Sequence, residues 1–444
     1  LKSNPHRIIN NQNDFSEGNG TVDSPYIIKN AIEFSKIKDY TASAFVLAND
    51  INLEDLPANQ NGSNWEPVGS NELPFIGILD GNGYSIEGLI INEPDKSEKG
   101  LIYRNRGLIK NLTLTSGYIF ADTDIGAFLV HNQGSIINCK NEMKLSGKSA
   151  GAIACNHFIG TIKDCINSAD IYLQLEKKHA VYIGGIVARN HGSPTYNMEE
   201  QSKITECFNS GNITVIDNYS SMVSVGGITS HGSVYNSGNS GDISCSGSSS
   251  SIRAGGITGS KGLVSFSYNT GNVTAISNNG NVYAGGIYGG DTFAKKIGPI
   301  SNSFNTGMIV AASKYNAYAG GIAGLLPDDN PIGAINCFNS GRIAAAKIGN
   351  QNDTGTIISS GIMYQTKTST KLISVSYNVG EVITDGTGYS IGPSTSSSGN
   401  SIYINDRFIY EGIKLFGKGK TREEMLLRST YEDFDFDNDW EMPD

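Results

Sequence analysis

Short stretches of apolar–polar alternation, separated by glycine, run through most of this chain. A Gly-Gly-Ile phrase recurs as GGIVARN (Gly184–Asn190), GGITSHG (Gly226–Gly232), GGITGSKG (Gly255–Gly262), GGIYGG (Gly285–Gly290) and GGIAG (Gly320–Gly324). A second phrase answers it: ECFNSGNITV (Glu206–Val215), FSYNTGNVTA (Phe266–Ala275), NSFNTGMIVA (Asn302–Ala311) and NCFNSGRIAA (Asn336–Ala345). Period-two alternation over a few residues predicts strands, and no repeat carries a stretch of helical periodicity long enough for a helical solenoid. Self-similarity on this scale predicts stacked coils. Anchors at Leu101, Ala127, Ala152, Gly185, Gly227, Gly256, Gly286, Gly321 and Gly361 are spaced from 25 residues (Ala127 to Ala152) to 42 (Gly185 to Gly227). The longer coils therefore carry loops. The expectation is an all-β, single-stranded parallel β-helix of about nine rungs.

The flanks differ from the coils. Residues 1–17 are polar and predict a loose leader. Residues 18–99 predict an N-terminal cap: a short helix around Asn30–Asp39, using Ile28, Ile32, Phe34 and Ile37, and a β-hairpin turning on Asp80-Gly81-Asn82-Gly83. Residues 100–385 hold the repeats, and 386–444 the final rung and a second cap. There Thr421 and Glu424 have capping-box spacing, and Phe434, Phe436 and Trp440 are expected to cover the last rung.

One asparagine recurs in register as Asn141, Asn167, Asn209, Asn239, Asn269, Asn305, Asn339 and Asn378. Stacked on successive rungs, its amides can bond along the column. The glycine two residues later (Gly211, Gly241, Gly271, Gly307, Gly341, Gly380) is expected to supply a positive-φ corner. Cys139, Cys165, Cys207 and Cys337 occupy a slot that Ser267, Ser303 and Ser376 fill elsewhere, which predicts small inward-facing side chains and free thiols. Cys155 and Cys245 lie outside that slot.

Glycine is 54 of 444 residues, charged residues only 17%, and the net charge is −10. The acidic balance argues against nucleic acid, which demands a basic footprint. No apolar run is long enough to cross a membrane as a helix. No Cys/His cluster has metal-ligand spacing, and no cofactor is expected. Lys414 stands where a phosphate loop ending in Gly417–Thr421 would need glycine. Asp433, Asp435 and Asp437 resemble the start of a calcium loop without its glycine or its closing glutamate.

The two phrases, with GTVDSPYII, Trp65–Gly69, FIGILDGNGYSI and DFDFDNDW, resemble the GLUG-motif repeats of bacterial secreted and surface proteins, including the non-catalytic region of immunoglobulin A protease-type proteins. The resemblance covers roughly Gly18 to Met442. It implies the right-handed β-helix and a secreted or outer-surface protein, and the start at Leu1 without a charged–apolar–small leader predicts a mature form. None of the six histidines begins a His-Glu-x-x-His zinc motif, so no peptidase chemistry is expected.

One constellation departs from the repeat. Arg104, Arg106, His131, His157, Arg189, His191, His231 and Lys261 fall within a position or two of the corner after the Gly-Gly-Ile strand. Aligned rung by rung, they would form a His/Arg stripe on one edge, beside loops containing Tyr196, Tyr288 and Phe293. Such a strip could bind a polysaccharide or host glycoprotein. The expected function is an adhesion or binding scaffold. The alternatives are a carbohydrate-active enzyme using Glu199, Glu200, Asp291, Asp328 and Asp329, and a structural spacer.

Overall fold

The computed structural model describes residues 14–175, 179–192, 202–291, 299–326, 333–349, 354–365, 373–392, 402–404, 413–414 and 418–431. Phe434, Phe436, Trp440 and the Asp433–Asp437 run lie outside them. The chain divides into two compact units, Leu1–Leu173 with Tyr182–Asn212, and Gln174–Val181 with Ile213–Asp444.

In both units short strands pair in parallel with the equivalent strands of the coils before and after, the defining arrangement of a parallel β-helix. In the first unit one inward column runs Tyr26, Phe45, Leu79, Ile109, Ile136, Ile162, Ile204. None of these is more than 5% exposed. In the second unit Ile213, Ile243, Val273, Ile309, Ile343 and Val382 stack in the same way. Each such aliphatic side chain contributes about 1.5–3 kcal/mol by leaving water, and alternation sends the next residue outward.

The column beginning at Tyr26 shows that residues 18–99 are already coil. Two strands do flank the Asp80–Gly83 turn, but they form no hairpin. Ile78–Asp80 pairs in parallel with Ala44–Leu47 and Leu108–Lys110, and Ser85–Glu93 with Ile51–Asn52 and Thr113–Ala121. They are successive sides of one coil, so each finds its partners in neighbouring coils. The helix Ala31–Ser35 and its 3-10 continuation Lys36–Asp39 start at Asn30, whose side chain accepts the Glu33 N–H. Phe34 and Ile37 are buried as expected, whereas Ile32 is 65% exposed. The expected leader is partly anchored: Phe15 is buried and stacks on Tyr26, ring centroids 4.2 Å apart. At the other end Thr421 and Glu424 form the capping box of Arg422–Met425.

Within each unit the asparagines form a ladder. Asn141 donates to Asn167 (2.9 Å) and Asn167 to Asn209 (2.7 Å). In the second unit Asn239, Asn269, Asn305, Asn339 and Asn378 are linked the same way at 2.7–2.8 Å. All eight are fully buried, and their amides are satisfied by neighbouring copies and by main-chain carbonyls, as when Asn378 Nδ2 donates to Gly380 O and Ser390 O. The glycines after them do not adopt positive φ. The left-handed residue is the one before the Cys/Ser slot: Asn138, Asp164 and Glu206 in the first unit, and Asn236, Phe266, Asn302, Asn336 and Val375 in the second. Gly211, Gly271, Gly307, Gly341 and Gly380 are required for a different reason. A Cβ on any of them would collide with a carbonyl of the preceding rung.

All six cysteines are free and buried.

Candidate functional site

The strands Ile102–Asn105, Leu129–Asn132, Ala154–His157 and Val187–Asn190 lie side by side in the first unit. Their parallel register creates adjacent columns. Arg104, His131, Asn156 and Arg189 form one; Asn105, Asn132, His157 and Asn190 form the next. Immediately beyond come Arg106, Gln133, Phe158 and His191. Main-chain bonds keep the last three of these in register: Gln133 N–H to Asn105 O (2.8 Å), Phe158 N–H to Asn132 O (2.9 Å) and His191 N–H to His157 O (2.8 Å).

His157 is not on the edge. It takes an asparagine's place in a third buried ladder, in which Asn105 Nδ2 donates to Asn132 Oδ1 (2.9 Å) and Asn132 Nδ2 to His157 Nδ1 (3.1 Å). One register position separates it from the His131 column, and that step turns the side chain inward. Burial lowers its pKa to about 4, which leaves the ring neutral at pH 7.

The remaining first-unit residues do not make a cationic strip. Glu98 and Asp124 stand across from them, both with left-handed backbone (φ 62° and 54°). His131 Nε2 donates to Glu98 Oε1 (3.0 Å), and Tyr103 OH to Glu98 Oε2 (3.2 Å). Asp124 pairs with Arg189 and accepts a 3.4 Å bond from Asn156 Nδ2. The Arg189 guanidinium also lies over the Tyr182 ring, 5.2 Å from its centroid. Burial depresses the His131 pKa, against the opposing pull of Glu98. Burial, helped by the Arg189 charge, depresses that of His191. The edge thus carries one guanidinium–carboxylate pair, a second carboxylate bonded to His131 and Tyr103, and imidazoles held toward their neutral form. Glu98, Asp124 and Tyr182 escaped sequence reasoning because they enter the site from another side of the coil, whereas Asn156 stands in the His131 column itself and was passed over as an uncharged residue. The one sequence signal is a carboxylate just before Lys99 and Ile125, the residues that begin the facing side.

The outermost column is the most accessible part. Arg106 Nε donates to Gln133 Oε1 (2.8 Å). Phe158, 38% exposed, stacks on His191 with centroids 4.6 Å apart and planes 11° from parallel. Asn156 Oδ1 lies 3.1 Å from His191 Nε2 and orients that ring. A guanidinium, a carboxamide, a phenyl and an imidazole therefore follow one another along an exposed edge.

His231 and Lys261 belong to the second unit. His231 is in register with Ser260, and its Nδ1 lies 3.0 Å from Ser230 Oγ. Lys261 is exposed, with left-handed φ, and its N–H donates to Tyr288 OH (2.9 Å). Gly290 and Leu325 are also paired on this face, so no basic column forms there. Tyr288 is fully buried rather than lining a loop wall. Of the acids expected for an enzyme, Glu199, Glu200, Asp328 and Asp329 lie outside the described residues, as do Tyr196 and Phe293. Asp291 is buried and pairs with Arg253 at 3.6 Å. Among the described residues no group of three or more His, Cys, Asp or Glu could hold a metal ion, and no helix is long and apolar enough to cross a membrane.

The fold defines a β-helical repeat protein. No family model matches the chain. It is 36% identical over 136 residues to a protein provisionally named a Gly-rich membrane protein of Evansella cellulosilytica, a match covering 29% of this chain and 16% of the other. It is 31% identical over 157 residues to halomucin of Haloquadratum walsbyi, covering 33% of this chain and 2% of halomucin. The chain thus corresponds to a small part of each of these relatives. A crystal structure from Bacteroides ovatus, provisionally named an immunoglobulin A1 protease, aligns with 59% of this chain and 80% of its own at 20% identity and a TM-score of 0.43. That likeness supports no inference about activity.

Proposed function

We propose that this chain is a binding scaffold of a secreted or surface-exposed bacterial protein, and that its ligand is an uncharged glycan held on the Arg106–His191 edge of the first unit. The observation that carries this reading is the column of flat side chains, with Phe158 stacked and exposed at its centre. Sugar rings present apolar C–H faces with hydroxyls at their rims. An exposed aromatic face flanked by a guanidinium and amides meets both requirements. The acid–base pairing behind the edge disfavours a polyanion, because Glu98 and Asp124 offset the neighbouring cations. One sequence relative is named a membrane protein, which is compatible with a surface location.

The test is a glycan array with the purified chain, followed by titration of the best ligand. Phe158→Ala should leave the fold intact, since the ring is exposed, and weaken binding about tenfold, in line with the ~0.5–1.5 kcal/mol of a stacked aromatic contact. Binding unchanged by Phe158→Ala, or confined to sulfated and uronic-acid glycans, would remove this reading.

A further inference from the structure

We infer that the glycan is a linear, extended polysaccharide lying parallel to the stacking direction of the rungs, one sugar residue to each of four successive rungs. This rests on the reading of the edge as a glycan site and specifies which glycans fit it. Arg106, Gln133, Phe158 and His191 occupy one register position in consecutive coils, held there by the main-chain bonds between them. They therefore repeat at the strand spacing of ~4.8 Å, and all four are at least partly exposed.

An extended β-1,4-linked pyranose chain advances by a closely similar distance per sugar. Along such a chain each residue meets an equivalent planar group, and the match accumulates over the column. A coiled or branched glycan moves out of phase after one or two rungs. The column also has a defined start. The preceding coil places Ile76 before Arg106, whose N–H bonds to Phe75 O at 2.7 Å. Ile76 is aliphatic and lacks both a flat face and a hydrogen-bonding edge, and within the first unit the column runs from Arg106 to His191. That stretch accommodates four sugars. Its ends differ chemically, guanidinium and amide at one and the Phe158–His191 ring pair at the other, so the chain binds in a single direction.

Calorimetric titration with cello-oligosaccharides from the monosaccharide to the octasaccharide tests this, with malto-oligosaccharides, whose chains coil, as the comparison series. Affinity should rise severalfold with each added sugar up to the tetrasaccharide and level off beyond it. The malto series should bind at least tenfold more weakly at equal length. Arg106→Ala and His191→Ala, both exposed, should each move the plateau to the trisaccharide. A monosaccharide or disaccharide that binds as tightly as the tetrasaccharide overturns the axial arrangement and leaves glycan binding standing. An equal response to both series does the same. If no glycan in the array or in either series binds, the functional reading itself falls, and the axial arrangement with it.

Discussion

His157 shows how much a single register position decides. It shares its residue type with His131 and His191 and lies near the same corner. Its place in the chain, however, aligns it with Asn105 and Asn132, and the column imposes burial. A histidine with a folded pKa near 4 and an unfolded value near 6.5 binds its proton more readily when unfolded. The stability it permits is fully present above pH 6.5 and is lost progressively as pH falls toward 4, a change of roughly 3 kcal/mol. The same burial acts in the same direction on His131 and His191. We expect His157→Asn, which completes the asparagine ladder, to flatten the fall in melting temperature between pH 6.5 and pH 4. A slope as steep as that of the unmodified protein would mean that another group governs acid sensitivity. At the same scale, the left-handed Glu98 and Asp124 explain why the predicted cationic stripe is electrically mixed. Their carboxylates reach the strip from across the coil, an approach no local motif announces.

Among the elements, the corners on either side of the short strand that carries the ladder asparagine distribute their demands differently from what composition implies. The recurring glycine looks like a positive-φ residue. The positive φ is instead met by Asn138, Asn236, Asn302 or Asn336, residue types that tolerate it, and less comfortably by Phe266 and Val375. The glycine is needed because consecutive rungs pass too closely there for a Cβ. Two substitutions separate these causes. Gly307→Ala would drive a methyl into the Gly271 carbonyl, and should cost several kcal/mol or prevent folding. Gly83→Ala meets no atom within 4 Å and only the φ of 85° opposes it, so about 1–2 kcal/mol is expected. Equilibrium denaturation of the two variants gives the comparison. A loss at Gly307 no larger than that at Gly83 would show that the rungs shift to accommodate the methyl, and that crowding does not set the glycine requirement.

For the whole molecule, one consequence of stacked closure is that reactive groups inside the coils are sealed. All six thiols are free and buried. Burial raises the pKa of Cys155, Cys165, Cys207, Cys245 and Cys337, which suppresses the reactive thiolate. A thiol reagent should label almost none of them in the native protein and all six after denaturation. Reductant should leave the melting temperature unchanged. Rapid labelling of Cys139 or Cys165 in the native state would show that the first unit opens locally far more readily than its packing implies.

The repeat phrases alone were enough to establish coil formation, parallel stacking, the asparagine ladders and the cysteine slot. Each of these depends on a residue meeting its own copy in the next turn, and that relation is written in the spacing. The true start of coiling, at Tyr26, was hidden because the first turns share the alternation but not the phrase. The proposed binding edge was half visible: its arginines and histidines stand out, but Phe158, Gln133, Asn156, Glu98 and Asp124 do not. Which residues face outward together, and which charges cancel, depends on groups that are far apart along the chain and approach only when different sides of a coil close on one another. Periodicity predicts contacts between equivalent positions, whereas contacts between inequivalent positions come into being only with the folded geometry.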